Sequence, residues 1–182
     1  MSSNTALIVI DLQEEYYDEG RPWYVPDGPR VLENTKRLLE AARDSGAEVV
    51  HVRHVNPDPD AEVFALGSEY TEIIDEVDVR DGEPLITKTK PGSFQNTELD
   101  SILTRRGVEN VVLCGLLSFI CVDTTAREAD ARGYNPLYVR DATAAFPAAG
   151  YDPEELTEMV AAIQDVMFSE VVTTDEAAER LE

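Results

Sequence analysis

Short apolar runs, each followed by a longer amphipathic or polar stretch, recur along the chain and leave few folds open to it. Residues 6–10 are apolar throughout and end at Asp11, as expected of a strand covered on both faces. Residues 48–52, 85–87, 110–117, 136–139 and 170–172 read as five further strands, with 110–117 the longest and hence central. Between them, residues 29–45 carry Val31, Leu32, Leu38, Leu39 and Ala42 at helical spacing, with Gly46 as a stop. Residues 97–106 place Leu99, Ile102 and Leu103 on one helical face, with Thr97 as candidate N-cap. Residues 121–132 and 153–168 read as two more helices, the second with Pro153 in its first turn. This alternation predicts a three-layer α/β/α fold: a mostly parallel six-stranded, Rossmann-like sheet with helices on both faces. Residues 1–182 are expected to form one domain, since the chain has no internal repeat, no dividing linker and too little length for two comfortable cores.

Charge narrows the partners. Thirty-seven acidic residues against fifteen basic ones give a formal net charge of −22, spread along the chain rather than gathered in a tail. Such a surface repels phosphates and anionic lipids, so neither nucleic acid nor membrane is expected as a partner. Self-repulsion of this size weakens a fold in dilute buffer, whereas a salty cytoplasm screens it. A halophilic protein is therefore expected, with a melting temperature that rises from dilute buffer to molar KCl; a flat response would exclude it. The start, Met1-Ser-Ser-Asn-Thr5, lacks the basic and apolar regions of a secretory leader, and two cysteines make no disulfide framework. Both point to a cytoplasmic location.

In an open parallel sheet, ligands bind beyond the carboxyl ends of the strands. Asp11 follows the first strand, Lys88 the third, and Cys121 lies just past the fourth, so acid, amine and thiol meet at one edge. Lys88 and Lys90 are also two of only three lysines, which singles out their segment. If Cys121 opens a helix, the free N–H groups there lower its pKa and can hold a developing oxyanion. From position alone, Cys121 reads either as a nucleophile or as a small buried hydrophobe; Cys114, inside a strand, fits the second reading. His51 and His54, three apart on an extended chain, face opposite ways and cannot easily share a metal. With no histidine placed to serve the thiol, a carboxylate is the expected base, and Asp11 is the one in position. The stretches 14–19 and 75–81 read as solvated acidic surface.

Together these segments resemble the isochorismatase-like cysteine hydrolases from about Ala6 to Thr174. The resemblance lies in Asp11-Leu-Gln-Glu-Glu-Tyr16, in Arg43 and Gly46, and in Lys88-Thr-Lys-Pro-Gly-Ser-Phe94 followed by Thr97-Glu-Leu99. It continues through Gly115-Leu-Leu-Ser-Phe-Ile-Cys121-Val122, Thr125-Ala-Arg127-Glu-Ala129, Gly133-Tyr134 and Asp141-Ala142. It implies a catalytic set of Asp11, Lys88 and Cys121, and a non-proline cis peptide at Leu116–Leu117 that aims the N–H groups of Leu117 and Cys121 at the oxyanion. Tyr16, Trp23 and Phe94 become candidates to wall a pocket for a small-molecule substrate. Nicotinamidases of the family hold a metal with an Asp and histidines after the second strand. The stretch His51-Val-Arg-His-Val-Asn-Pro57 lacks that Asp-x-His pattern, so neither metal nor cofactor is expected. Retention of Cys121 points to hydrolysis of an amide or carbamoyl C–N bond by a homo-oligomer, dimer or tetramer. The rival readings are an ether hydrolase, a Cys114–Cys121 redox pair, and a catalytically silent binding member of the fold.

Overall fold

The computed structural model describes residues 4–181; Met1 to Ser3, at the chain start discussed above, and Glu182 lie outside the described residues. Six strands form one sheet: β1 (Thr5–Ile10), β2 (Glu48–His54), β3 (Leu85–Lys88), β4 (Asn110–Leu116), β5 (Asn135–Ala144) and β6 (Glu170–Val172). Their order is β3-β2-β1-β4-β5-β6, and every pairing is parallel rather than mostly so. Each connection crosses over the sheet through a helix or a long loop, which is the link a parallel neighbour requires.

The helices are α1 (Glu14–Tyr17), α2 (Gly28–Ser45), α3 (Leu99–Arg106), α4 (Asp123–Ala131), α5 (Pro153–Met167) and α6 (Thr174–Leu181). β1 shows why the sheet is covered twice, for all six of its residues are buried. Leu7 and Val9 pack with Leu38 and Leu39 of α2 and Leu181 of α6. Ala6, Ile8 and Ile10 pack with Ile102 of α3, Ala126 of α4 and Val160 of α5. Alternate residues of a strand point to opposite faces, so this one strand feeds both cores. Each fully buried Leu, Ile or Val contributes about 1.5–3 kcal/mol, and a charge at Ile8 or Val9 would break one layer. Asp152 caps α5 by accepting from the Glu155 N–H at 2.9 Å, and Gly46 ends α2 in the left-handed region.

Several elements differ from expectation. α3 starts at Leu99, not at Thr97; the Thr97 hydroxyl donates to the Ser93 carbonyl and accepts from the Leu99 N–H at 3.3 Å. Beyond a register shift, β5 runs on to Ala144, and Asp141 accepts from the Thr174 N–H and hydroxyl at 2.7 and 2.9 Å. That contact starts α6, which carries too few large apolar residues to stand out in the sequence. The stretch 14–19 is not all solvated: it holds α1, and Glu15 is fully buried against Arg21 at 2.8 Å. None of the helices is long and apolar enough to cross a membrane, among the described residues.

Candidate active site

β1 and β4 are neighbours whose outgoing chains cover opposite faces, through α2 and α4 respectively. Such a reversal opens a crevice at the carboxyl end of the sheet. Asp11 stands at that end of the sheet, wholly buried, with φ 54° and its N–H bonded to the Val52 carbonyl at 2.9 Å. A left-handed residue other than glycine costs about 1–2 kcal/mol, least for Asp and Asn. Gly115 makes room for this turn: a Cβ there would lie 1.9 Å from the Ile10 carbonyl oxygen.

Lys88, at the end of β3, joins the set. Its Nζ lies 2.7 Å from Asp11 Oδ2 and 3.3 Å from Cys121 Sγ, and both ionic side chains are wholly buried. Burial works against the Lys88 ammonium, but Asp11 and then Cys121 outweigh it and raise its pKa. The lowered pKa expected of Cys121 is not found. Cys121 does not open a regular helix; it sits inside a π turn, Ser118–Val122, that precedes α4. Burial and then the Asp11 carboxylate push its thiol up to about 12, against the downward pull of Lys88.

The turn is held from behind. Tyr138 donates to the Ser118 carbonyl at 3.2 Å, and the Leu116–Leu117 peptide at its entrance is cis. Ser93, five residues after Lys88, bonds through its backbone and hydroxyl to Thr125 of α4 at 3.1 and 2.8 Å. The segments carrying amine and thiol are thus tied together by buried polar groups.

Tyr16 is buried, and its ring centroid lies 5.2 Å from Phe64 and 6.4 Å from Trp23. Trp23 also meets Phe146 at 5.4 Å, and Phe146 meets Phe119 at 5.7 Å. The Tyr16 hydroxyl is pushed well above its ordinary range by burial, then by Cys121 and Asp11. Phe94 stacks on Tyr134 at 5.8 Å with the Arg132 guanidinium 4.7 Å away, and it packs in the same core cluster as Cys121. Phe64, Phe119 and Phe146 were missed because they lie in irregular segments without periodicity, although Phe119 sits inside the glycine-to-cysteine motif.

Cys114 is a free buried thiol of the other core layer, pushed up to about 12 by burial. His51 lies 2.8 Å from Glu83 Oε2, which Arg43 also holds. No three His, Cys, Asp or Glu side chains converge as metal ligands would among the described residues. With His51 committed to Glu83 and His54 on the opposite face of β2, these residues do not fit the nicotinamidase metal.

A family model described as the Isochorismatase domain matches residues 5–176. The chain is 35% identical to a secreted isochorismatase effector of Verticillium dahliae over 175 residues, 96% of this chain and 90% of the relative. It is 27% identical to a ureidoacrylate amidohydrolase of Agrobacterium fabrum over 173 residues, covering 78% and 76% of the two chains. A cysteine hydrolase from Pseudomonas syringae pv. phaseolicola superposes with a TM-score of 0.90 at 25% identity, over 98% of this chain and 92% of that one. The all-parallel sheet with helices on both faces defines a three-layer α/β protein, and its relatives define the class as a hydrolase. The chain belongs to the isochorismatase family.

Proposed function

We propose that the protein hydrolyses an amide or carbamoyl C–N bond of a small molecule through a thioester on Cys121. The observation that carries this reading is the buried Lys88 Nζ bridging Asp11 Oδ2 and Cys121 Sγ. Asp11 takes the thiol proton, and the Lys88 ammonium offsets the negative charge that then sits on sulfur. The thiolate attacks the carbonyl carbon, and the N–H groups of Leu117 and Cys121 receive the oxyanion. The C–N bond breaks as Asp11 returns its proton to the amine. Asp11 then deprotonates water, whose attack on the thioester frees the acid and restores the thiol. Kinship with a ureidoacrylate amidohydrolase supports the choice of bond.

Cys121→Ala is expected to abolish turnover, and mass spectrometry of the wild type with a slow substrate to show an acyl adduct on the Cys121 peptide. Full activity of Cys121→Ala would favour an ether hydrolase instead. We read the setting as a saline cytoplasm, in keeping with the net charge of −22. Exposed Met159, Ile163 and Val166 on α5 support self-association into a dimer or tetramer, which sedimentation in molar KCl reads directly.

A further inference from the structure

We propose that His54 is a specificity-determining residue: its Nδ1 accepts a hydrogen bond from the NH2 of a carbamoyl substrate, resting on the thioester reading above. His54 and Lys88 are register partners across β2 and β3, so their side chains leave the sheet on the same face. Lys88 touches the Cys121 sulfur, which puts the imidazole one neighbour away from the reacting atoms.

The ring is built to stay there. Gln13, fully buried and two residues from Asp11, accepts from the His54 N–H at 2.8 Å and donates to the His54 carbonyl at 2.8 Å. Its second amide hydrogen goes to the Thr71 carbonyl at 2.8 Å. Phe64, a bulky residue held at φ 53°, sets its ring edge-on to the imidazole, 5.3 Å away at 85°. Strain of that kind persists only where the surroundings impose it.

Within this fixed frame Nδ1 is buried and has no hydrogen-bond partner among the described residues. Burial and then Lys88 lower the ring's pKa, which favours the neutral imidazole, and a neutral imidazole offers one nitrogen as an acceptor. A buried acceptor left unmade is unfavourable, and a bound donor relieves it. The second nitrogen of a carbamoyl group attacked by Cys121 would supply such a donor. A carboxylate or carbonyl in its place would face this lone pair and the Asp11 carboxylate together.

4-Nitrophenyl carbamate and 4-nitrophenyl acetate differ only by NH2 against CH3 and release the same chromophore. His54→Leu is expected to lower kcat/KM for the carbamate roughly 10- to 100-fold while moving that for the acetate less than about 3-fold. His54→Asn, whose amide oxygen comes close to the Nδ1 position, should recover most of the carbamate rate. Equal losses on both esters, no loss on the carbamate, or a wild type that takes the acetate alone would each overturn the assignment. Cys121→Ala is assayed beside these variants, since acetate turnover persisting there overturns the thioester reading and leaves the His54 comparison to be judged by itself.

Discussion

Arg43, Glu83 and His51 form one ionic cluster on this sheet, and Asp11, Lys88 and Cys121 form another. In the first, Glu83 receives the two Arg43 donors at 2.7 and 2.9 Å, the Arg80 N–H at 3.1 Å and His51 Nε2 at 2.8 Å. Arg43 also donates to the Asp78 carbonyl at 2.7 Å, so the loop into β3 is pinned to α2. The second cluster is deeper and leaner, with Lys88 alone standing against a carboxylate and a thiol. A carboxylate with every lone pair filled can hold a loop but has no room to take a proton. One kept short of donors in a low dielectric can accept a proton, and its partners must compensate the charge that moves.

The largest effect that separates the two clusters is on turnover. Asp11→Asn keeps the shape and removes the base, and should lower kcat by about 10²- to 10⁴-fold. Lys88→Met should do comparable damage and also destabilise the fold by about 3–5 kcal/mol in denaturant unfolding, because it strands a buried carboxylate. Combining it with Asp11→Asn removes that charge, so the double variant should recover much of the stability and none of the activity. A Lys88→Met protein that unfolds at the wild-type midpoint would show that water reaches Asp11, and the contrast between the clusters would collapse.

How much of this was readable beforehand depends on whether the cause is local. The all-apolar run before Asp11 announces a strand covered on both faces, and strand ends announce where Asp11, Lys88 and Cys121 meet. Gly115 was legible as a motif position, but its purpose, the approach of Ile10 to 1.9 Å of where a Cβ would be, comes from a neighbouring strand. The Cys121 thiol departs from the helix-start expectation for the same reason. A helix N-terminus is a local feature, whereas burial and the Asp11 carboxylate come from afar and prevail. Glu15 looked like one more solvated acid, and only the fold shows Arg21 coming back to meet it. Phe64 gave no signal, because a left-handed phenylalanine in a loop has no pattern of its own.

The mildest test falls on the saturated cluster. Burial alone would raise the Glu83 carboxyl, but Arg43, the Arg80 N–H and His51 outweigh it and hold it at about 2, below its ordinary 4.5. Between those values the unfolded chain binds the proton more readily than the folded one, so stability falls as pH falls. The contribution of Glu83 is whole above pH about 4.5 and is lost on descending to about 2. Glu83→Gln should therefore cost about 1–2 kcal/mol at neutral pH, allowing for partial solvent screening, and leave turnover unchanged. The gap between wild type and variant should then close across that acid window in denaturant unfolding followed against pH. A gap that stayed constant down to pH 2 would mean that Glu83 acts through packing, and a loss of turnover at neutral pH would mean that the loop it pins also positions Lys88.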